Sequence, residues 1–182
     1  MQDDSPLDAQ VGSDEDKALA LAAIRESITL LKNDRNRLPL DPNRKLNILV
    51  AGPTGNSLAY QCGGWSIHWH GPLGDHEIPY GTTLVDGIKQ LAAPGSTVDY
   101  LQGVDTEGTW VTDRETLADR ARQADVIVLA VGEKAYAEAA ANIPDVALPR
   151  GQHDLATLLA SVTDAPIVTV LFEGRPRLLG AY

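Results

Sequence analysis

Two glutamates, Glu133 and Glu138, stand close together in the chain, with Lys134 and Tyr136 between them. Carboxyl groups in such a loop can give or take protons when a cleft shields them from water. They follow Val126-Ile127-Val128-Leu129-Ala130-Val131, an unbroken apolar run that stops at Gly132. Such a run reads as a strand buried on both faces of a parallel sheet. The loop of residues 132–149 then leaves a strand's carboxyl end, where open α/β sheets bind ligands. The plain alternative is a solvated surface loop carrying two ordinary glutamates.

A second cluster lies upstream, at Gln61-Cys62-Gly63-Gly64-Trp65-Ser66-Ile67-His68-Trp69-His70-Gly71. His68 and His70 could ligate a metal, but no third ligand is identifiable near them, and no metal is expected. Trp65 and Trp69 could be core residues. The third reading is a sugar platform, because an indole face stacks on the apolar face of a pyranose and the glycines bring it into a cleft. A tryptophan in a glycine-rich loop after a strand favours the platform. The turn Ala51-Gly52-Pro53-Thr54-Gly55 has neither G-x-G-x-x-G nor a Walker lysine, so a phosphate loop is not expected.

The elements that must position these residues follow from periodicity and capping. Leu21, Ile24, Ile28 and Leu31 at helical spacing predict a helix from a Ser13 cap to Lys32, with acidic Asp14, Glu15 and Asp16 in its first turn. Strands are expected at residues 46–50, 97–101, 126–131 and 167–172. Helices are expected at residues 84–91 behind Thr82 or Thr83, at 114–124 behind Thr112 or Asp113, and at 152–162, with a short one near residues 56–60. Strands alternating with helices require a mostly parallel sheet flanked by helices, an α/β sandwich. The expected layout is a disordered acidic tail at residues 1–13 and one α/β domain at residues 14–182.

Composition excludes other classes. A length of 182 residues, 43% of them hydrophobic, suits one globular domain. A net charge of -10 with no basic cluster argues against nucleic acid. No apolar stretch approaches the ~20 residues of a membrane span, and the start MQDDSPLDAQ lacks the basic-then-apolar order of a signal peptide. With Cys62 as the only cysteine there is no internal disulfide.

Taken in order, the motifs resemble the second, C-terminal domain of family 3 glycoside hydrolases, the β-glucosidase and exo-β-glucanase group. The resemblance runs from about Ala18 to Leu178. It is carried by Arg25-Glu26-Ser27-Ile28-Thr29-Leu30-Leu31-Lys32-Asn33 with Leu38-Pro39-Leu40, and by Gln61-Cys62-Gly63-Gly64-Trp65-Ser66-Ile67. Val131-Gly132-Glu133 with Tyr136-Ala137-Glu138, Leu148-Pro149 with Gly151-Gln152, and Gly174-Arg175-Pro176 complete it. The resemblance implies a retaining enzyme whose aspartate nucleophile lies on a separate (β/α)8 barrel domain. Glu138 takes the general acid/base position, Glu133 is the second choice with a loop-orienting role, and Trp65 and Tyr136 are the substrate-binding candidates. The family needs no cofactor, and the parent enzyme is expected to be periplasmic or extracellular.

Two departures accompany the resemblance. Ala141-Asn142 stands where the family usually has Gly-Asp. No residues correspond to the barrel, and the copy of the family domain is expected to be incomplete. The expected function is therefore part of a β-glucosidase or exo-β-glucan hydrolase, acting on a β-glucoside or β-glucan oligosaccharide and inactive alone. The alternative is a non-catalytic carbohydrate-binding or interaction domain of the same fold. An unrelated flavodoxin-like domain is disfavoured by the missing phosphate loop and the missing receiver-type acidic cluster.

Overall fold

Seven consecutive buried residues, Val126–Gly132, run through the middle of a four-stranded parallel sheet. The structure, a computed structural model, describes residues 11–180. Of the acidic tail expected at residues 1–13, residues 1–10 lie outside the described residues. The chain divides into two compact units, residues 1–40 and residues 41–182.

The first unit holds α1 (Asp14–Ser27). Ser13 caps it, its side chain accepting from the Asp16 N–H at 3.1 Å, with three acidic residues in the first turn. The helix stops short of the expected Lys32. Ile28 is already extended (φ -65, ψ 123), and the Ser27 hydroxyl donates to the Ile24 carbonyl at 2.9 Å. β-branched Ile28 and Thr29 are weak helix formers, and side-chain hydroxyls here compete for helix carbonyls. Beyond it, the Asn33 side chain closes a turn by donating to the Leu38 carbonyl and accepting from its N–H, at 2.8 and 2.9 Å.

The second unit runs β1 (Asn47–Ala51), α2 (Leu58–Gln61), α3 (Leu84–Leu91), β2 (Thr97–Leu101), α4 (Arg114–Gln123), β3 (Val126–Gly132), α5 (Arg150–Val162) and β4 (Ile167–Phe172). Three of its helix starts are dictated by short polar side chains. Ser57, Thr83 and Asp113 accept from the N–H groups of Tyr60, Asp86 and Thr116. The strand order is β2-β1-β3-β4, with every pair parallel. Chain connections leave β1 toward β2 on one side and β3 toward β4 on the other, so β1 and β3 flank the switch point of the sheet.

One face of the sheet carries the core. Leu49, Ala51, Ile127, Leu129 and Val131 pack against Leu117 and Ala121 of α4 and Leu155 and Leu159 of α5. Each such leucine or isoleucine contributes roughly 1.5–3 kcal/mol by leaving water. α3 packs beside β2 and buries Val85, whose N–H reaches the Gly55 carbonyl at 3.1 Å. The result is an α/β sandwich in which the carboxyl ends of β1, β3 and β4 open on the same side of the sheet.

Candidate active site

The β3 end is fixed before the loop begins. Gly132 has φ +146, and a Cβ there would sit 2.0 Å from the Phe172 carbonyl oxygen, so only glycine lets β3 and β4 stay paired. The buried Gln152 amide, at the start of α5, pins the same residue. Its Oε1 accepts from the Gly132 N–H at 3.0 Å, while its Nε2 donates to the carbonyls of Gly132 (2.9 Å) and Thr106 (3.0 Å). A buried side-chain amide with this many partners is a strong positional constraint. Gln152 belongs to a sequence motif, but this role follows only from the fold.

Glu133 continues the ladder, donating its N–H to Phe172 O at 3.0 Å. Its carboxylate is 13% exposed and is shared by two guanidinium groups, Arg175 Nε at 3.4 Å and Arg177 Nη1 at 3.2 Å. Arg177 is more buried still, at 6%. Both arginines also hold the loop's backbone, with Arg175 Nη1 donating to Ala141 O and Arg177 Nη2 to Ala147 O, each at 2.7 Å. The Arg175 guanidinium lies 3.7 Å above the Tyr136 ring centroid. Glu133 is thereby committed to an ion cluster. The Tyr136 hydroxyl is pushed above the ordinary tyrosine range, chiefly by burial, with Arg175 opposing and Glu133 adding to the effect.

Glu138 differs in every respect. It is exposed, it has φ 56 and ψ -152, and its carboxyl has no hydrogen bond or ion pair among the described residues. A short 3₁₀ turn, Ala139–Ala141, follows it, with the Ala141 N–H donating to Glu138 O at 2.9 Å. The tryptophan loop packs against this segment. A Cβ on Gly64 would meet the Tyr136 carbonyl oxygen at 2.1 Å, so the two backbones touch where Gly63-Gly64 precedes Trp65. The Trp65 N–H closes its turn on Trp69 O at 3.0 Å, and the indole remains 69% exposed.

These segments enclose a cleft of about 560 Å³, within the ordinary range of small-molecule sites. Trp65, Glu133, Tyr136 and Glu138 all line it, together with Cys62 and the β4 end from Leu171 to Arg175. One further acid, Glu173, does not stand out in the sequence. It is half-buried, and its Oε1 has no hydrogen-bond partner among the described residues. Burial, and then the charge of Glu133, hold it above the usual glutamate range, while Arg177 pulls the other way. The signal that could have exposed it was an acidic residue ending a parallel strand directly before Gly174-Arg175-Pro176.

The histidine pair is engaged otherwise. His68 Nε2 pairs with Glu77 Oε1 at 2.8 Å, and the His70 ring stacks on Trp69 with centroids 5.1 Å apart. The Glu77 carboxyl is lowered by the Leu73 N–H and by His68. Among the described residues no group of three His, Cys, Asp or Glu could hold a metal ion. Trp69 lies beside Trp65, with ring centroids 6.0 Å apart and planes tilted by 36°. Both are exposed, which excludes the core reading for them.

The chain is similar to known proteins in sequence and in fold. Residues 28–181 match the glycosyl hydrolase family 3 C-terminal domain. The chain is 35% identical over 175 residues to a lysosomal beta glucosidase of Dictyostelium discoideum, covering 93% of this chain and 21% of that protein. Among solved structures, the exo-1,3/1,4-beta-glucanase from a Pseudoalteromonas species has a TM-score of 0.71 at 30% identity, covering 92% of this chain and 19% of that one. A mutant beta-glucosidase from Listeria innocua in complex with laminaribiose gives a TM-score of 0.79 at 26% identity, covering 97% and 22%. This chain thus spans 19–22% of the lengths of these proteins. Because the matched span contains the whole sheet and every residue of the cleft, the chain belongs to glycosyl hydrolase family 3, as its C-terminal domain.

Proposed function

We propose that this chain supplies the proton donor and an aromatic wall to a retaining β-glucosidase or exo-β-glucan hydrolase. The attacking carboxylate belongs to a barrel domain outside the chain. The observation that supports the reading best is that Glu138, exposed and unpaired among the described residues, lines the same cleft as the exposed indole of Trp65. Retaining hydrolysis needs two carboxyl groups about 5–5.5 Å apart. In the first step the barrel aspartate attacks C1 while Glu138, protonated, delivers its proton to the departing glycosidic oxygen. In the second step the Glu138 carboxylate takes a proton from the water that attacks C1 and releases the sugar. Trp65 stacks on the apolar face of the leaving-group sugar. Glu133, held by two arginines, keeps the loop in place.

The substrate class is a β-glucoside or β-glucan oligosaccharide. A non-catalytic carbohydrate-binding role is the second reading, favoured by Ala141-Asn142 in place of the family's Gly-Asp. The two are separated by joining the chain to a family 3 barrel domain and comparing Glu138→Gln with the parent on two substrates. Losing the proton donor slows glucosides with poor leaving groups far more than activated aryl glucosides. Equal slowing of both removes Glu138 from the acid role, and glucan binding without turnover supports the second reading.

A further inference from the structure

Glu138 sits at φ 56 and ψ -152, beside a region of backbone space that is open to glycine and costs other residues roughly 1–3 kcal/mol. Such a conformation persists only when the chain on both sides is held. On the amino-terminal side, Tyr136 is held at two points: the Arg175 guanidinium lies 3.7 Å from its ring centroid, and its backbone carbonyl meets the tight approach of Gly64. On the carboxyl-terminal side, the Glu138 carbonyl accepts from the Ala141 N–H at 2.9 Å, and the Ala141 carbonyl accepts from Arg175 Nη1 at 2.7 Å. One side chain therefore grips the loop two residues before Glu138 and three residues after it. That side chain is itself anchored, because it lies just beyond β4 and its Nε faces the Glu133 carboxylate at 3.4 Å.

We infer that Arg175 is a positioning residue for Glu138, holding the backbone torsion at which the carboxyl is presented to the cleft. This rests on the acid/base reading of Glu138 and deepens it. Arg175 has no place in the proton transfers and acts through Tyr136 and Ala141. The task suits arginine and no other cation. A planar fork can stack on a ring, donate to a carbonyl and face a carboxylate at once, whereas a lysine ammonium is a single point charge.

The test needs no turnover, so it fails or succeeds independently of the catalytic reading. Amide hydrogen exchange is measured residue by residue on the full chain for the parent, R175K, and R175K combined with E138G. Lysine keeps the charge opposite Glu133, which guards against loss of the fold, and the exchange of Ile127 to Val131 reports whether the sheet is intact. With the sheet unchanged, the Ala141 and Asn142 amides are expected to exchange at least about tenfold faster in R175K. Glycine at position 138 adopts the same torsion without strain, so E138G should return those amides to within about threefold of the parent rate. A purely structural loss at position 175 would not be repaired by a change at position 138. Parent-like exchange in R175K, or no recovery in the double variant, overturns the assignment. If R175K also speeds exchange in the sheet, the change is global and the assignment is likewise overturned.

Discussion

The guanidinium of Arg175 covers the ring of Tyr136 at 3.7 Å, joining the segment that follows β4 to the middle of the loop that follows β3. The contact is made by the aromatic face, while the Tyr136 hydroxyl has no hydrogen bond of good geometry among the described residues. Tyr136→Phe should therefore leave the denaturation midpoint unchanged. Tyr136→Leu removes the ring face and should lower stability by about 1–2 kcal/mol. Urea titration of the three proteins checks this, and equal losses in both variants would refute it.

Among the described residues, Glu133 is the only carboxylate that forms an ion pair with the two largely buried arginines. Removing one member of such a cluster strands the others in a poorly hydrated site. Glu133→Gln should destabilise the chain by about 3–5 kcal/mol. An exposed pair such as Lys134 with Glu107, 3.4 Å apart, sets the contrast, and Glu107→Gln should cost no more than about 1 kcal/mol. Chemical denaturation measures both, and similar losses would contradict the placement of Glu133.

Glu173 gives the site a pH signature. Its native carboxyl is held above the ordinary value of about 4.3 by burial and by Glu133, against the pull of Arg177. The native state therefore binds this proton more tightly than the unfolded state does. Its stabilising contribution is complete below about pH 4.3 and is lost as pH rises through the native value. Glu173→Gln, neutral throughout, should show a flatter fall of the urea midpoint across that window. Parallel pH profiles for parent and variant would contradict the assignment.

Trp65, Ile67, Trp69, Leu73 and Tyr80 are all exposed on one stretch of chain, and β4 forms an edge of the sheet. Exposed apolar side chains and an open edge both favour association. Light scattering across a concentration series should show self-association that Trp69→Ser weakens. A monomer at every concentration would contradict this.

The parts of the molecule that sequence could disclose are those decided locally. The apolar run of residues 126–131 announces a strand buried on both faces, and all seven residues of β3, Val126–Gly132, are buried. Helix starts are marked at Thr82 or Thr83 and at Thr112 or Asp113 because a short polar side chain serves the first turn wherever it occurs, and the fold uses Thr83 and Asp113. The end of α1 is misleading in the sequence, because apolar spacing persists past Ser27 while the backbone there turns extended. Glu133 and Glu138 stand out as carboxylates, but what separates them does not. Their difference arises from Arg175 and Arg177, which reach Glu133 only because β4 pairs with β3. Glu173 stays hidden for the same reason: its environment is made by a neighbouring strand.

Azide tests Glu138 as the proton donor most directly. In the chain joined to a family 3 barrel domain, Glu138→Ala should hydrolyse an activated aryl β-glucoside slowly. Added azide, which needs no base to attack the glycosyl-enzyme, should restore the rate and give β-glucosyl azide as product. A Glu138→Ala protein that keeps its parental rate, or that azide leaves unchanged with no glucosyl azide formed, would contradict the account.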